Sequence, residues 1–125
     1  HVPLFIDLAL KNQDINIHGD GLQTRSISHA KDIAEGFSNC IEVGNEIINL
    51  GTDQETTVKE IAEYIIDKTN SSSKIIYKPK EEVFGDYKEI QRRFANTDKA
   101  KQLIDYKVNY TTEQVIDEII EKWQK

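Results

Sequence analysis

The sequence predicts a mixed α/β domain (α+β in arrangement), with a few short strands set among four or five helices. Three observations carry this expectation. Two capping boxes, Thr57-Val58-Lys59-Glu60 and Thr111-Thr112-Glu113-Gln114, each open an apolar stripe at helical spacing. Short apolar runs at 15–18, 46–50 and 74–77 each end at a glycine or proline signal. These runs and helices do not alternate regularly enough for a complete doubly wound sheet.

Taken in order, residues 4–11 (LFIDLALK) suit a short helix, with Pro3 near the first turn, where a missing N–H costs little. Ile15–His18 reads as a strand that ends in the Gly19-Asp20-Gly21 turn. If the chain leaves that turn extended, Gln23, Arg25, Ile27 and His29 alternate onto one face. From Lys31 or Asp32 to Glu42, the residues Ile33, Ala34, Phe37 and Ile41 recur at helical spacing, and Gly44-Asn45 ends the run. Residues 46–50 (EIINL) read as a short apolar strand closed by Gly51. The helix opened by Thr57 carries the stripe Val58, Ile61, Ala62, Ile65 and Ile66 until Asn70-Ser71-Ser72-Ser73 breaks it. A further strand at 74–77 stops before Pro79, and residues 80–94 are charged and irregular, with a second glycine turn at Gly85-Asp86. Helices from about Thr97 to Ile104 and from Thr111 onward complete the chain, the last burying Val115, Ile116, Ile119, Ile120 and Trp123.

The 125 residues suit one domain, with 16 basic and 22 acidic side chains, a net charge of −6. That balance argues against nucleic-acid or anionic-membrane partners, both of which need a basic face. Any bound anion must therefore be held by a local cluster. No apolar run reaches the length of a membrane span and no secretory leader is evident, so the chain reads as cytoplasmic. The lone Cys40 reads as a small buried hydrophobe, and His1, His18 and His29 lack partners for a metal site. The opening His1-Val2-Pro3 leads straight into an amphipathic segment, which suggests a fragment of a longer protein.

Lysine occurs thirteen times and arginine three times, at Arg25, Arg92 and Arg93. A guanidinium offers a flat fork of donors that grips two phosphate oxygens together, which an ammonium does not. The plain alternative is that Arg25 pairs with Asp20 or Asp32 while Arg92 and Arg93 lie solvated on a polar loop.

Four pieces of the chain, in order, resemble the nucleotide-sugar epimerases and dehydratases of the extended short-chain dehydrogenase/reductase family. LFIDLALKNQDINI resembles the family segment before its GDG turn, and IHGDGLQTRSISHAKDIAEGF resembles GDGxQxRxFxxVxDxAxA. EIINLGTDQETTVKEIAEYI is similar to the family's "YNIGsG" strand and following helix, and KEIQRRFANTDKAKQLIDYKVNYTTEQVIDEIIEKW to its closing segment. The resemblance implies that residues 1–125 are the C-terminal, substrate-binding domain, without the N-terminal Rossmann half that binds NAD or NADP. It implies that Arg25 grips the diphosphate of a nucleotide-diphosphate sugar, and that Arg92 or Arg93 supplies a second contact. Ile27 and Val58 then lie near the nucleotide and its base, and Asp86 corresponds to a ribose-binding acid. Asp105, Val108 and Val115 stand where relatives often carry Gly, Pro and Gly.

No Gly-x-x-Gly-x-x-Gly cofactor loop occurs in the sequence. A Tyr-x-x-x-Lys pattern occurs at Tyr64 and Lys68, but these share a helix face with Glu60, opposite the apolar stripe, and read as coincidence. The expectation is a portion that binds substrate and is catalytically silent alone, with no cofactor or metal of its own. The alternatives are a free-standing binding or interaction module and a helical scaffold with surface arginines. Cut from a Rossmann sheet, the 46–50 strand would offer an exposed edge for self-association.

Overall fold

The computed structural model describes residues 1–79 and 90–125. Helix α1 (Val2–Leu10), with Pro3 in its first turn, buries Val2, Phe5, Ile6 and Ala9. Strand β1 (Ile15–His18) follows, and its inward side chains, Ile15 and Ile17, join the same core. Positive φ at Gly19 and Gly21 turns the chain back on itself, a conformation open to glycine at little cost. The returning backbone then docks on helix α3 (Val58–Lys68): Gly21 and Gln23 carbonyls accept from the Lys59 and Val58 amides. Two otherwise unsatisfied N–H groups at the start of α3 are thereby paired.

Strand β2 (Thr24–Arg25) lies antiparallel to β3 (Thr56–Thr57), with Thr24 opposite Thr57 and Arg25 opposite Thr56. Strand β4 (Ile75–Lys78) runs parallel to β1 in the register Ile15↔Ile75 to His18↔Lys78. Helix α3 adds Val58, Ile61, Ala62 and Ile65 to the core, and helix α5 (Thr112–Gln124) adds Ile116 and Ile120. Both predicted capping boxes form, each with the threonine hydroxyl accepting from the N3 amide and the N3 side chain accepting from the N-cap amide.

A smaller cluster gathers Ala100 and Ile104 of helix α4 (Asp98–Ile104) with Tyr106, against Cys40, Val43, Ile48 and Leu50. Asp105 closes α4 in the left-handed region at φ 49°. Glycine is the natural occupant of that conformation, which accounts for Gly being frequent there in the family that the sequence resembles.

The structure departs from the sequence reading at several points. Residues 46–50 form no strand; Ile48 and Leu50 pack on the smaller cluster, and no described strand lies alongside to pair with them. The exposed strand edge expected there is accordingly not formed. Helix α2 (Ala30–Asn39) buries Asp32 and Gly36, whereas Phe37 is 72% exposed, Ile41 80% and the nearby Ile47 87%. Its apolar stripe is real, but the described chain supplies no element to cover it. Trp123 is likewise exposed, near the end of α5, while Cys40 is only half-buried. Among the described residues no helix is long and apolar enough to cross a membrane.

Candidate functional site

The β1–β2 turn delivers Arg25 to one end of a cleft of about 540 Å³. Its polar lining comes from Arg25, Ser26, Ser28, Asn49, Thr52 and Arg93, and Ile48, Leu50 and Phe94 supply apolar surface. One Arg25 nitrogen, Nη1, donates to the Thr24 carbonyl at 2.7 Å and the Ile90 carbonyl at 3.2 Å, which anchors the side chain at the cleft wall. Gly51 also lines the cleft, where a Cβ would stand 2.9 Å from that of Ala95. Nothing larger than glycine fits between these two strips of backbone.

The consecutive arginines part company. Arg93 lines the cleft with Arg25. Arg92 turns to Glu55, with Nε 3.1 Å from Oε2 and Nη2 2.5 Å from Oε1, and lies over the Phe94 ring. Ile27 turns the other way and packs, half-buried, on the main core. Val58 is buried within that core. Of the residues singled out in the sequence, the structure therefore brings Arg25 and Arg93 together, with Arg92, Ile27 and Val58 behind or beside the cleft. Asp86 lies outside the described residues.

Two acidic groups went unnoticed in the sequence, Glu55 and Glu118. Glu55 accepts from Thr24 Oγ1 at 2.7 Å as well as from Arg92. His29 is the N-cap of α2; its Nδ1 accepts from the Lys31 amide, so Nε2 carries the proton and donates to Glu118 at 2.6 Å. Tyr110 stacks on the ring at 3.9 Å. Neither partner could be found by local spacing, since they lie 37 and 89 positions away.

Both carboxylates are held well below their ordinary range, at about 2: Glu55 by hydrogen bonds from Arg92 and then Thr24, Glu118 by those from Lys122 and then His29. A carboxyl whose pKa falls on folding contributes stability that is complete above its unfolded value and lost as pH falls through the folded one. The protein is accordingly expected to weaken between about pH 4.5 and about 2. Glu55→Gln and Glu118→Gln should flatten the acid limb of a series of thermal melts. An acid limb unchanged by both substitutions would remove these carboxylates from the explanation.

The Tyr64/Lys68 pair is structural. Tyr64 Oη donates to Asp117 Oδ1 at 2.8 Å, and Lys68 Nζ to Asp117 Oδ2 at 3.0 Å, bridging α3 to α5. Burial, then the Asp117 carboxylate, pushes the Tyr64 phenol up to about 12, the opposite of what a catalytic tyrosinate requires. A second cleft of about 300 Å³ is bordered by Glu55, Glu60 and Glu113, the wrong sign for a phosphate. In the main cleft no described lining residue is an acid, a histidine, a lysine or a thiol. Its described charged lining is cationic, from Arg25 and Arg93.

A family model described as GDP-mannose 4,6 dehydratase matches residues 1–119. The chain belongs to that family. The GDP-mannose 4,6-dehydratase family sits among the nucleotide-sugar enzymes of the extended short-chain dehydrogenase/reductase type, as the four sequence segments led one to expect. A UDP-N-acetyl-alpha-D-glucosaminuronate decarboxylase from Bacillus cytotoxicus is 35% identical over 123 residues, 96% of this chain and 38% of that protein. A putative UDP-glucose 4-epimerase from Methanocaldococcus jannaschii is 39% identical over 73% of this chain and 30% of that protein.

Among solved structures, dTDP-glucose 4,6-dehydratase from Bacillus anthracis, in complex with NAD, superposes with a TM-score of 0.84 at 26% identity, over 98% of this chain and 38% of that one. The UDP-glucose 4-epimerase of Thermotoga maritima, solved with UDP-glucose, shares the fold with a TM-score of 0.86 at 22% identity, again over 98% and 38%. The family member described here thus spans well under half the length of these relatives.

Proposed function

We propose that residues 1–125 are the C-terminal, substrate-binding portion of an NAD(P)-dependent nucleotide-diphosphate-sugar epimerase, dehydratase or decarboxylase. Arg25 and Arg93 grip the diphosphate. The observation that carries this reading is the convergence of those two guanidiniums on one cleft, in a chain of net charge −6 that has only three arginines. The polar groups of Ser26, Ser28, Asn49 and Thr52 line the same cleft and offer further donors to phosphate or ribose oxygens. Binding energy collected there, remote from the reacting carbon, orients the sugar for chemistry elsewhere.

Among the described residues the positive-φ glycines are Gly19 and Gly21, which join two strands and do not lead into a helix N-terminus. They do not fit a dinucleotide cradle. Hydride chemistry belongs to nicotinamide held by the part of the enzyme beyond this chain, and the isolated chain should show no NAD reduction. The exposed face of Phe37, Ile41 and Ile47 is suited to docking on that part. In its absence the same face favours self-association, which light scattering would detect as a mass above 14.4 kDa.

The test is calorimetric titration of UDP and UDP-glucose into the chain. Arg25→Ala and Arg93→Ala should each lower affinity about tenfold or more, the expected loss of a charge-assisted contact. Affinity that is indifferent to Arg25 and Arg93 would end the diphosphate-clamp assignment.

A further inference from the structure

We propose that Glu55 is the positioning residue that decides which of two consecutive arginines faces the cleft, an inference that rests on reading the cleft as an anion site. Residues 90–93 run alongside β2 and are tied to it through their carbonyls, that of Gln91 also accepting from Thr24 Oγ1 at 3.5 Å. The Thr24 amide donates to the Gln91 carbonyl at 2.7 Å, Arg25 Nη1 to the Ile90 carbonyl at 3.2 Å, and Ser26 Oγ to the Arg93 carbonyl at 3.5 Å. All of them use main-chain carbonyls of residues 90–93, and every residue carries one. Those ties therefore do not by themselves distinguish one register from a neighbouring one.

Side-chain contacts make the distinction. The paired oxygens of Glu55 meet Nε and Nη2 of Arg92, the bidentate geometry in which an ion pair is directional as well as attractive. Thr24 Oγ1 donates to the same carboxylate and so fixes Glu55 to β2, against which the segment is read. Phe94 lies beneath the Arg92 guanidinium at 5.1 Å and supports the same choice. Arg93 is then left on the cleft side. A slip by one residue would bring Arg93 to Glu55 and remove a cation from the cleft, or bring Gln91 to Glu55 and turn Arg92 inward. With two arginines in a row, only the partner of the first one specifies the second.

Two readouts on the whole chain test this. In Glu55→Gln, hydrogen exchange at the Thr24 amide should accelerate about tenfold, because the segment that holds its acceptor loses its directional tie. Affinity for inorganic pyrophosphate should fall by a similar factor, and the charge-reversed double variant Glu55→Arg/Arg92→Glu should restore both. Unchanged Thr24 exchange in Glu55→Gln, or failure of the reversed pair to restore it, overturns the proposal. Should exchange respond and recover while the parent chain binds no pyrophosphate, Glu55 keeps its positioning role and the anion-site reading falls.

Discussion

Replacing Asp32 with alanine is expected to destabilise the protein by about 3 kcal/mol, which for a domain of this size lowers the melting temperature by roughly 10 °C. Asp32 is 1% exposed. Both of its oxygens accept from the Asn109 amide at 3.1 Å, Oδ1 also accepts from Asn109 Nδ2 at 3.1 Å, and Oδ2 from the Tyr110 amide at 3.2 Å. The buried carboxylate thereby gathers donors of the loop that leads into α5 and pins that loop to the first turn of α2. Truncation removes these bonds to an ionised acceptor; water reaches the exposed Asn109 donors, so the net loss is that of one or two charge-assisted bonds at about 1.5–3 kcal/mol each. Its position in the first turn adds a favourable interaction with the helix dipole.

Asparagine is no substitute, because its NH₂ would confront donors where an acceptor is needed. Asp32→Asn should therefore lie much closer to Asp32→Ala than to the parent in differential scanning calorimetry. A melt within about 2 °C of the parent would show that water replaces the carboxylate at little cost.

Gly36→Val is the second large effect, expected at about 3 kcal/mol, the upper end for forcing extra carbon into a packed interior. A Cβ at Gly36 would stand 2.7 and 2.8 Å from ring carbons of Tyr106 and 2.9 Å from Leu50 Cδ2. Tyr106 is poorly placed to retreat: it is buried, and its hydroxyl donates to the Gly51 carbonyl at 2.9 Å. Gly36→Ala should cost less, since alanine recovers about 1 kcal/mol of helix propensity against the same clash. Gly44 serves as the control, having open space around its Cβ position, and alanine there should be close to neutral.

The consequence reaches the cleft. Tyr106 holds the Gly51 carbonyl, and Gly51 is part of the cleft wall, so a displaced Tyr106 moves that wall. Gly36→Val should therefore weaken UDP binding as well as stability, although residue 36 does not line the cleft. Urea melts together with calorimetric titration separate the two effects. A variant as stable as the parent would mean that α2 shifts freely over Tyr106.

Much of the local structure was legible in the residues themselves. Thr57 with Glu60 and Thr111 with Gln114 announce their helices because a capping box closes over three positions. Gly19 and Gly21 announce the turn because glycine enters the positive-φ region at little cost. Arg25, singled out as a candidate phosphate clamp, follows that turn at short range and lines the cleft. The recurrence of Phe37 and Ile41 at helical spacing was also legible, yet periodicity reports that a face is apolar, not that anything covers it. Residues 46–50 illustrate the same gap, since a strand exists only where a neighbour takes its hydrogen bonds.

Local chemistry, acting over three or four residues, thus decided where the helices begin and where the chain turns, and the sequence itself shows which few side chains carry a guanidinium. The tertiary structure alone decided that Arg93 and not Arg92 shares the cleft with Arg25, that Asp32 locks a loop 77 positions away, and that Tyr64 and Lys68, already set aside as catalytic groups, both meet Asp117. The reason is common to all three. Each depends on a partner that folding brings within about 3 Å from a distant part of the chain, and hydrogen bonds and ion pairs have direction and range that sequence spacing does not encode.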